Sequence, residues 1–475
     1  MTAATYFWHD YETFGADPRF DRPCQFAGVR TDFDLNVVEQ EVMEYCQPTL
    51  DCLPHPQACL ITGITPQEAQ ARGCPEPEFI RRVLEQLGRP GTCGVGYNSL
   101  RFDDELTRHT AWRNFHDPYA REWQNGCSRW DIIDMVRLTY ALRPQGIEWP
   151  RRPDGAPSFR LEDLAAANNL EQARAHDALS DVHATIALAR LIRDKQPRLY
   201  DFVVENRDKN SARAMLNLNT HEPVVHVSSR FPAELGCLSL VMPLIAHPRN
   251  KNAVLVCDLR ADPSSWLELS AQDLAERIFT PRADLPDDVE RAAIKAVHVN
   301  RCPVLAPVKT LSEAQAERLS LDLEQCRQHW KLLNQRLPEL APVLAEVFAD
   351  NEFDALSDPE QNLYGGFVSS ADRRLCEQVL NTPAEDFFGL DLPFEDRRLH
   401  ELLFRYRARH YPDSLNEAER DEWARFLSRR LEFAADGGLD LNSYTNLLEQ
   451  MPVSPEQQPI IEALRAWGRQ VQEAL

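Results

Sequence analysis

The chain has 475 residues, 43% of them apolar, and a formal net charge of −22. At roughly 100–200 residues per domain that length holds two to four domains, and the apolar content builds ordinary cores, which excludes a disordered protein. The net charge excludes a protein that grips polyanions over its whole surface, because its average field repels phosphates.

The opening elements read as strands. Thr5–Tyr11 is rich in aromatic residues, and Cys24–Arg30 and Val37–Cys46 are further strands. Pro77–Leu87 carries Phe79, Ile80, Val83, Leu84 and Leu87 at helical spacing. Cys93–Asn98 reads as a short buried strand, and Asp103–Trp112 as a helix with acids in its first turn, where the helix dipole favours them. Ser128–Leu142 and Ser158–Asn168 read as helices. Asp177–Arg193 is a strongly periodic helix through Ala178, Val182, Ile186, Ala189 and Ile192. Strands and helices in this order predict one α/β domain over residues 1–196.

After Pro197 the pattern changes. A helix over Leu199–Asn206 leads into short β-like runs at Pro223–Val227, Leu238–Leu244 and Ala253–Leu259, separated by Pro, Asn and Gly. These predict a small β-rich domain over residues 197–350 whose later part, Leu311–Ala349, is helical. Residues 351–475 read as almost entirely helical, acidic and Arg-rich.

The 12 cysteines are scattered without a Cys-x-x-Cys pair, which fits neither a zinc cage nor a disulfide scaffold. Reduced thiols in a cytoplasmic protein are expected. No basic segment followed by an apolar run opens the chain, so no signal peptide is expected, and no apolar stretch approaches the ~18 residues of a membrane span.

Five residues carry the chemistry. Asp10 and Glu12 lie in Phe7-Trp8-His9-Asp10-Tyr11-Glu12-Thr13, and residues two apart on a strand face one side. Asp103 follows Gly96-Tyr97-Asn98-Ser99-Leu100-Arg101-Phe102, where a loop enters a helix. His176 and Asp181 sit in Ala175-His176-Asp177-Ala178-Leu179-Ser180-Asp181, just before and within a helix. Taken singly, Asp-x-Glu is usually a solvated face, Asp103 a helix-start residue, Asp181 a surface acid and His176 a hydrogen-bonded loop histidine. Their order and contexts together point to one site.

This set resembles the DEDDh family of 3′–5′ exonucleases, defined by Asp-x-Glu, a central Asp and His-x-x-x-x-Asp. Phe7–Gly15, Gly96–Glu105, Ser158–Glu162 and the long extension after Gln196 further resemble the bacterial exonuclease I family. The resemblance implies a ribonuclease H-like nuclease domain, an SH3-like middle domain and a helical C-terminal region closing a groove around a single strand. It implies Asp10, Glu12 and Asp181 as ligands of two Mg2+ ions, with Asp103 helping to hold the second and Mn2+ able to substitute. His176 would be the general base, and the products nucleoside 5′-monophosphates. Paired divalent ions suit phosphodiester hydrolysis because they neutralise the attacking and leaving oxygens.

The resemblance also places Glu12 and Arg160 on the substrate. From Arg101 to Arg160 basic residues slightly outnumber acidic ones, and Arg108, Trp112, Arg113, Tyr119, Arg121, Trp123 and Arg129 interleave bases with aromatics. Such a track holds single-stranded DNA by stacking and phosphate neutralisation, with two or three of the aromatics expected to touch DNA. The family precedent implies a second partner, the acidic C-terminal tail of single-stranded DNA-binding protein, with Arg143 in its docking patch. A monomer acting in DNA repair and recombination is expected. The rivals are an RNA-directed enzyme of the same family, told apart by digestion of RNA, a non-catalytic DNA-binding scaffold, told apart by mononucleotide release, and a proofreading subunit.

Overall fold

The computed structural model describes residues 4–170, 177–349, 356–434 and 437–475. The chain opens with strands β1 (Thr5–Thr13), β2 (Pro23–Thr31) and β3 (Val42–Tyr45), followed by helices α1 (Pro56–Thr62), α2 (Pro66–Arg72) and α3 (Glu76–Leu87). Next come β4 (Thr92–Gly96), α4 (Asp103–Arg113), β5 (Ser128–Asp131), α5 (Ile133–Leu142), α6 (Leu161–Ala167) and α7 (Ala178–Lys195). A further stretch holds α8 (Pro197–Asn206), α9 (Lys209–Met215), β6 (Val224–Val227), β7 (Leu238–Ala246), β8 (Ala253–Asp258), α10 (Ala271–Phe279), β9 (Ile294–His298), β10 (Leu305–Pro307), α11 (Glu313–Arg318) and α12 (Leu323–Ala349). The last stretch is helical: α13 (Ser370–Asn381), α14 (Arg397–His410), α15 (Glu417–Phe433), α16 (Leu441–Gln450) and α17 (Gln458–Glu473).

These elements form two compact units, one of Met1–Arg129, Gln172–Ile186 and Asp354–Leu475, the other of Trp130–Glu171 and Ala187–Phe353. The first unit is built on a sheet ordered β3-β2-β1-β4, with β5 beyond β4 and its first two residues in this unit. β1 runs antiparallel to β2 and parallel to β4. One face of β1 and β2 offers Phe7, Tyr11 and Phe26, which pack with Phe79, Ile80, Val83 and Leu87 of α3 and with Leu106 and Ala111 of α4. The helical spacing of the α3 residues is what aligns them with that face.

The C-terminal helices complete this unit's core. Phe426, Leu431, Tyr444, Leu464 and Trp467 pack with Phe14, Cys24, Tyr45 and Cys59, and Leu399, Leu402 and Tyr406 pack with Trp112 and Phe115. A buried ion network joins the same segments. Asp51 meets Arg409 and Arg430 at 2.7 Å each, and Glu360 meets Arg22 at 2.9 Å and also Arg409. Arg405 adds a contact to Asp358 at 2.7 Å.

The second unit contains a five-stranded antiparallel sheet ordered β10-β6-β7-β8-β9. Val224, Val241, Val254, Val256, Val297 and Leu305 form its core with Ala212 and Leu216 of the α9 region. The 27-residue α12 carries Pro338 and Pro342 within it. The β-runs expected from sequence at 223–227, 238–244 and 253–259 are β6, β7 and β8.

Three expectations change. Ser128–Leu142 is a strand followed by a helix: β5 ends at Asp131, whose carboxylate accepts the Ile133 N–H at 3.0 Å where the chain passes into α5. Val37–Cys46 shortens to β3, with Val37 bridged singly to Thr31. α1 and α2 were not anticipated, although each opens on a proline behind a side-chain cap, His55 and Thr65, which is a recognised helix start. The cysteines form no disulfide, and no helix among the described residues is long and apolar enough to cross a membrane.

Candidate active site

Asp10 and Glu12 project from the face of β1 opposite Tyr11, as the strand period requires. The register of β1 against β2 shifts between Glu12 and Thr13, just beyond this pair. Asp181 rides in the first turn of α7, where Asp177 accepts the Ser180 N–H at 3.3 Å and its carbonyl accepts the Asp181 N–H at 3.1 Å. The fold brings carboxylate oxygens of Asp10, Glu12 and Asp181 within 4.8 Å of one another. Asp103, the first residue of α4, is buried. It is not a member of that triad, but its charge bears on both Asp10 and Glu12. Four of the five residues singled out from sequence therefore act on one another. The fifth, His176, lies outside the described residues.

The electrostatics fit a cation site. Burial pushes the Asp10 carboxyl well above its usual range, and Asp103, Glu12 and Asp181 add to the rise. Burial, then Asp181, Asp103 and Asp177, push Glu12 up to about 8. One pair of carboxylates at 4 Å repels by about 4 kcal/mol at an effective dielectric of 20, so such a group either binds a cation or takes up protons. An all-oxygen donor set suits Mg2+.

The sign of the linkage is definite. A carboxyl whose native pKa is raised binds its proton more tightly in the folded state, so stability falls as pH rises from its unfolded value, near 4.3, through its native value. The metal-free protein is therefore expected to lose thermal stability between about pH 5 and 8, and Mn2+ at pH 8 to restore it. A melting temperature that is flat over this range and indifferent to Mn2+ would contradict the cluster's electrostatics.

The remaining candidates fare differently. Arg160 stands 69% exposed at the start of α6, paired with Glu162. Arg143 caps the end of α5, half-buried, its guanidinium donating to the Leu142 carbonyl at 2.7 Å. Nearby Arg318 is engaged with the carbonyls of Tyr140 and Ala141. Trp123 is 66% exposed, and Tyr119 is half-buried beside the Arg108 guanidinium.

The rest of the basic and aromatic track is corrected. Arg113 is 1% exposed and forked onto Glu76 at 2.8 Å. Arg108 is buried against Glu105 and Glu122, and Arg121 and Arg129 are buried against Asp104. Trp112 is core, its indole N–H donating to the Pro359 carbonyl at 2.8 Å. In this arrangement these arginines neutralise protein carboxylates: Glu76 at the start of α3, Asp104 and Glu105 in α4, and Glu122 in the loop after it, because a guanidinium fork matches a carboxylate bidentately. Sequence reading also passed over Gln25, an amide in the wholly buried strand β2. A polar residue inside a buried strand was the available signal.

Three family profiles match the chain in succession: one described as Exonuclease over residues 7–189, one as Exonuclease I SH3-like domain over 207–350, and one as Exonuclease I C-terminal domain over 357–471. Exodeoxyribonuclease I of Escherichia coli (strain K12) is 46% identical over 421 residues, 88% of either chain. The crystal structure of E. coli exonuclease I in complex with a dA16 oligonucleotide superimposes with a TM-score of 0.92 at 42% identity, covering 98% of this chain and 100% of that one. A crystal structure of SSB/exonuclease I in complex with an inhibitor does so with a TM-score of 0.91 at 41% identity, covering 99% and 100%. The fold class is thus a ribonuclease H-like nuclease domain, an SH3-like domain and a helical C-terminal region.

Proposed function

The chain belongs to the exonuclease I family of 3′–5′ exonucleases, and from that premise we propose that it removes nucleotides stepwise from the 3′ end of single-stranded DNA, releasing nucleoside 5′-monophosphates. The observation that carries this reading is the convergence of Asp10, Glu12 and Asp181, together with the likeness to a relative solved with a DNA strand.

Asp10, Glu12 and Asp181 would hold two divalent ions, with Asp103 helping to hold the second, and Mg2+ would serve with Mn2+ able to substitute. Bound there, the ions supply charge stabilisation to the attacking and leaving oxygens. His176 is the general base, since an imidazole can accept the proton of the attacking water near neutral pH. Glu12 also contacts the substrate, and the exposed guanidinium of Arg160 grips a phosphate through its planar fork. The open aromatic face of Trp123 offers a stacking surface of the kind that binds a strand without sequence preference.

The second partner is the acidic C-terminal tail of single-stranded DNA-binding protein, supported by the likeness to the SSB/exonuclease I structure and by the partly exposed Arg143. The enzyme acts as a cytoplasmic monomer in DNA repair and recombination.

Digestion of 3′- and 5′-labelled strands of equal length, DNA and RNA, with Mg2+ or EDTA, tests the reading. The 3′ label is expected to leave at once as mononucleotide while the 5′ label stays on shortening DNA, and EDTA is expected to stop both. Early release of the 5′ label reverses the polarity, equal digestion of RNA reassigns the substrate, and digestion in EDTA removes the metals.

A further inference from the structure

Gln25 sits opposite Glu12 in the β1–β2 register and opposite Tyr45 in the β2–β3 register. Directly opposed residues in antiparallel strands share a face, so Glu12, Gln25 and Tyr45 form a row across the sheet. Gln25 is 1% exposed. Its Oε1 accepts the backbone N–H of Ala178, the first residue of α7, at 3.2 Å. A backbone N–H can only donate, which fixes the amide orientation and turns Nε2 towards Tyr45, whose Oη accepts from it at 2.8 Å. Tyr45 in turn lies under the Arg72 guanidinium, 3.8 Å from its ring centre.

The first four N–H groups of a helix have no partner within it. At α7 one of these is satisfied by a side chain from the sheet, in the row that contains Glu12. Asp181 lies three residues further along the same helix. The amide therefore ties the helix that carries one carboxylate of the cluster to the sheet that carries the other two.

We propose that Gln25 is a positioning residue for the carboxylate site: through the Ala178 N–H it sets the first turn of α7 so that Asp181 meets Asp10 and Glu12, with Tyr45 and Arg72 holding the amide in place. The proposal rests on the metal reading given above. Groups that orient the ligands of a metal typically change its affinity by about 10–100-fold when removed. A residue that merely fills the core would lower the melting temperature and leave metal affinity alone.

The test is calorimetric titration of the full chain with Mn2+ alone, without DNA, on wild type, Gln25→Leu, Tyr45→Phe and Asp10→Asn. Circular dichroism and melting temperature are recorded for each. Gln25→Leu is expected to weaken Mn2+ binding about tenfold or more while remaining folded, and to lower kcat with little change in KM for single-stranded DNA. Tyr45→Phe, which keeps the amide and removes only its support, is expected to weaken binding by a smaller factor in a fully folded protein. Wild-type Mn2+ affinity in Gln25→Leu overturns the anchor. If Gln25→Leu does not fold, wild-type affinity in Tyr45→Phe overturns it instead. Absence of Mn2+ binding by wild type, or its retention in Asp10→Asn, overturns the metal reading itself and is distinguishable from either result.

Discussion

Asp10→Ala is expected to reduce metal-dependent release of nucleotides from a labelled single strand by roughly 10^2–10^3-fold, the scale on which a lost electrostatic contact to the transition state acts. Asp10 is the residue on which the other three acids converge: Asp103, Glu12 and Asp181 all raise its carboxyl, on top of burial. The loss is not expected to reflect unfolding. Removing one negative charge from the group relieves repulsion, so the metal-free variant at pH 8 is expected to melt no lower than wild type, and the isosteric Asp10→Asn to behave alike. Near-normal turnover in either variant would overturn the site.

Asp51→Ala is expected to have the largest effect on stability. The Asp51 side chain is 0% exposed and lies against Arg409, Arg430 and Arg22. Burial by itself would raise its pKa, but Arg409, Arg430 and Arg22 outweigh that and hold the carboxyl far below its usual range. Its removal leaves the buried arginines 22, 405, 409 and 430 facing Glu360 and Asp358 alone among the buried acids of the network. Breaking a buried pair from one side costs about 3–5 kcal/mol, or on the order of 5–10 °C in melting temperature for a unit of this size.

The pH dependence follows with its sign. A depressed carboxyl contributes stability that is full above its unfolded pKa, near 3.9, and is lost as pH falls through the native value. Acid unfolding of wild type is therefore expected to set in below about pH 4, and Asp51→Ala to lose part of that acid sensitivity. An unchanged melting temperature in Asp51→Ala would mean that the network is not what joins α14 and α15 to the sheet.

The linear order of residues was enough to pick out the three acids that the fold brings together, because the signals involved are short-range. Asp10 and Glu12 declare a shared strand face two residues apart, Asp181 declares a helical turn after His176, and α3 and α7 declare themselves by apolar periodicity. The same locality explains the failure over Ser128–Leu142, where a four-residue strand and a helix run together without a turn signal between them.

Partnership across long separations is what required folding. Whether an arginine faces a phosphate or a protein carboxylate depends on which groups share its low-dielectric surroundings. Arg108, Arg113, Arg121 and Arg129 look alike in sequence to the exposed Arg160, yet each is buried on an acid. Arg22 finds Glu360 across 338 residues, and Gln25 finds Ala178 across 153. No periodicity encodes such pairs. They arise because burying a charge or an N–H is unfavourable unless a complementary group arrives with it, and only the packed sheet and helices bring that group into reach.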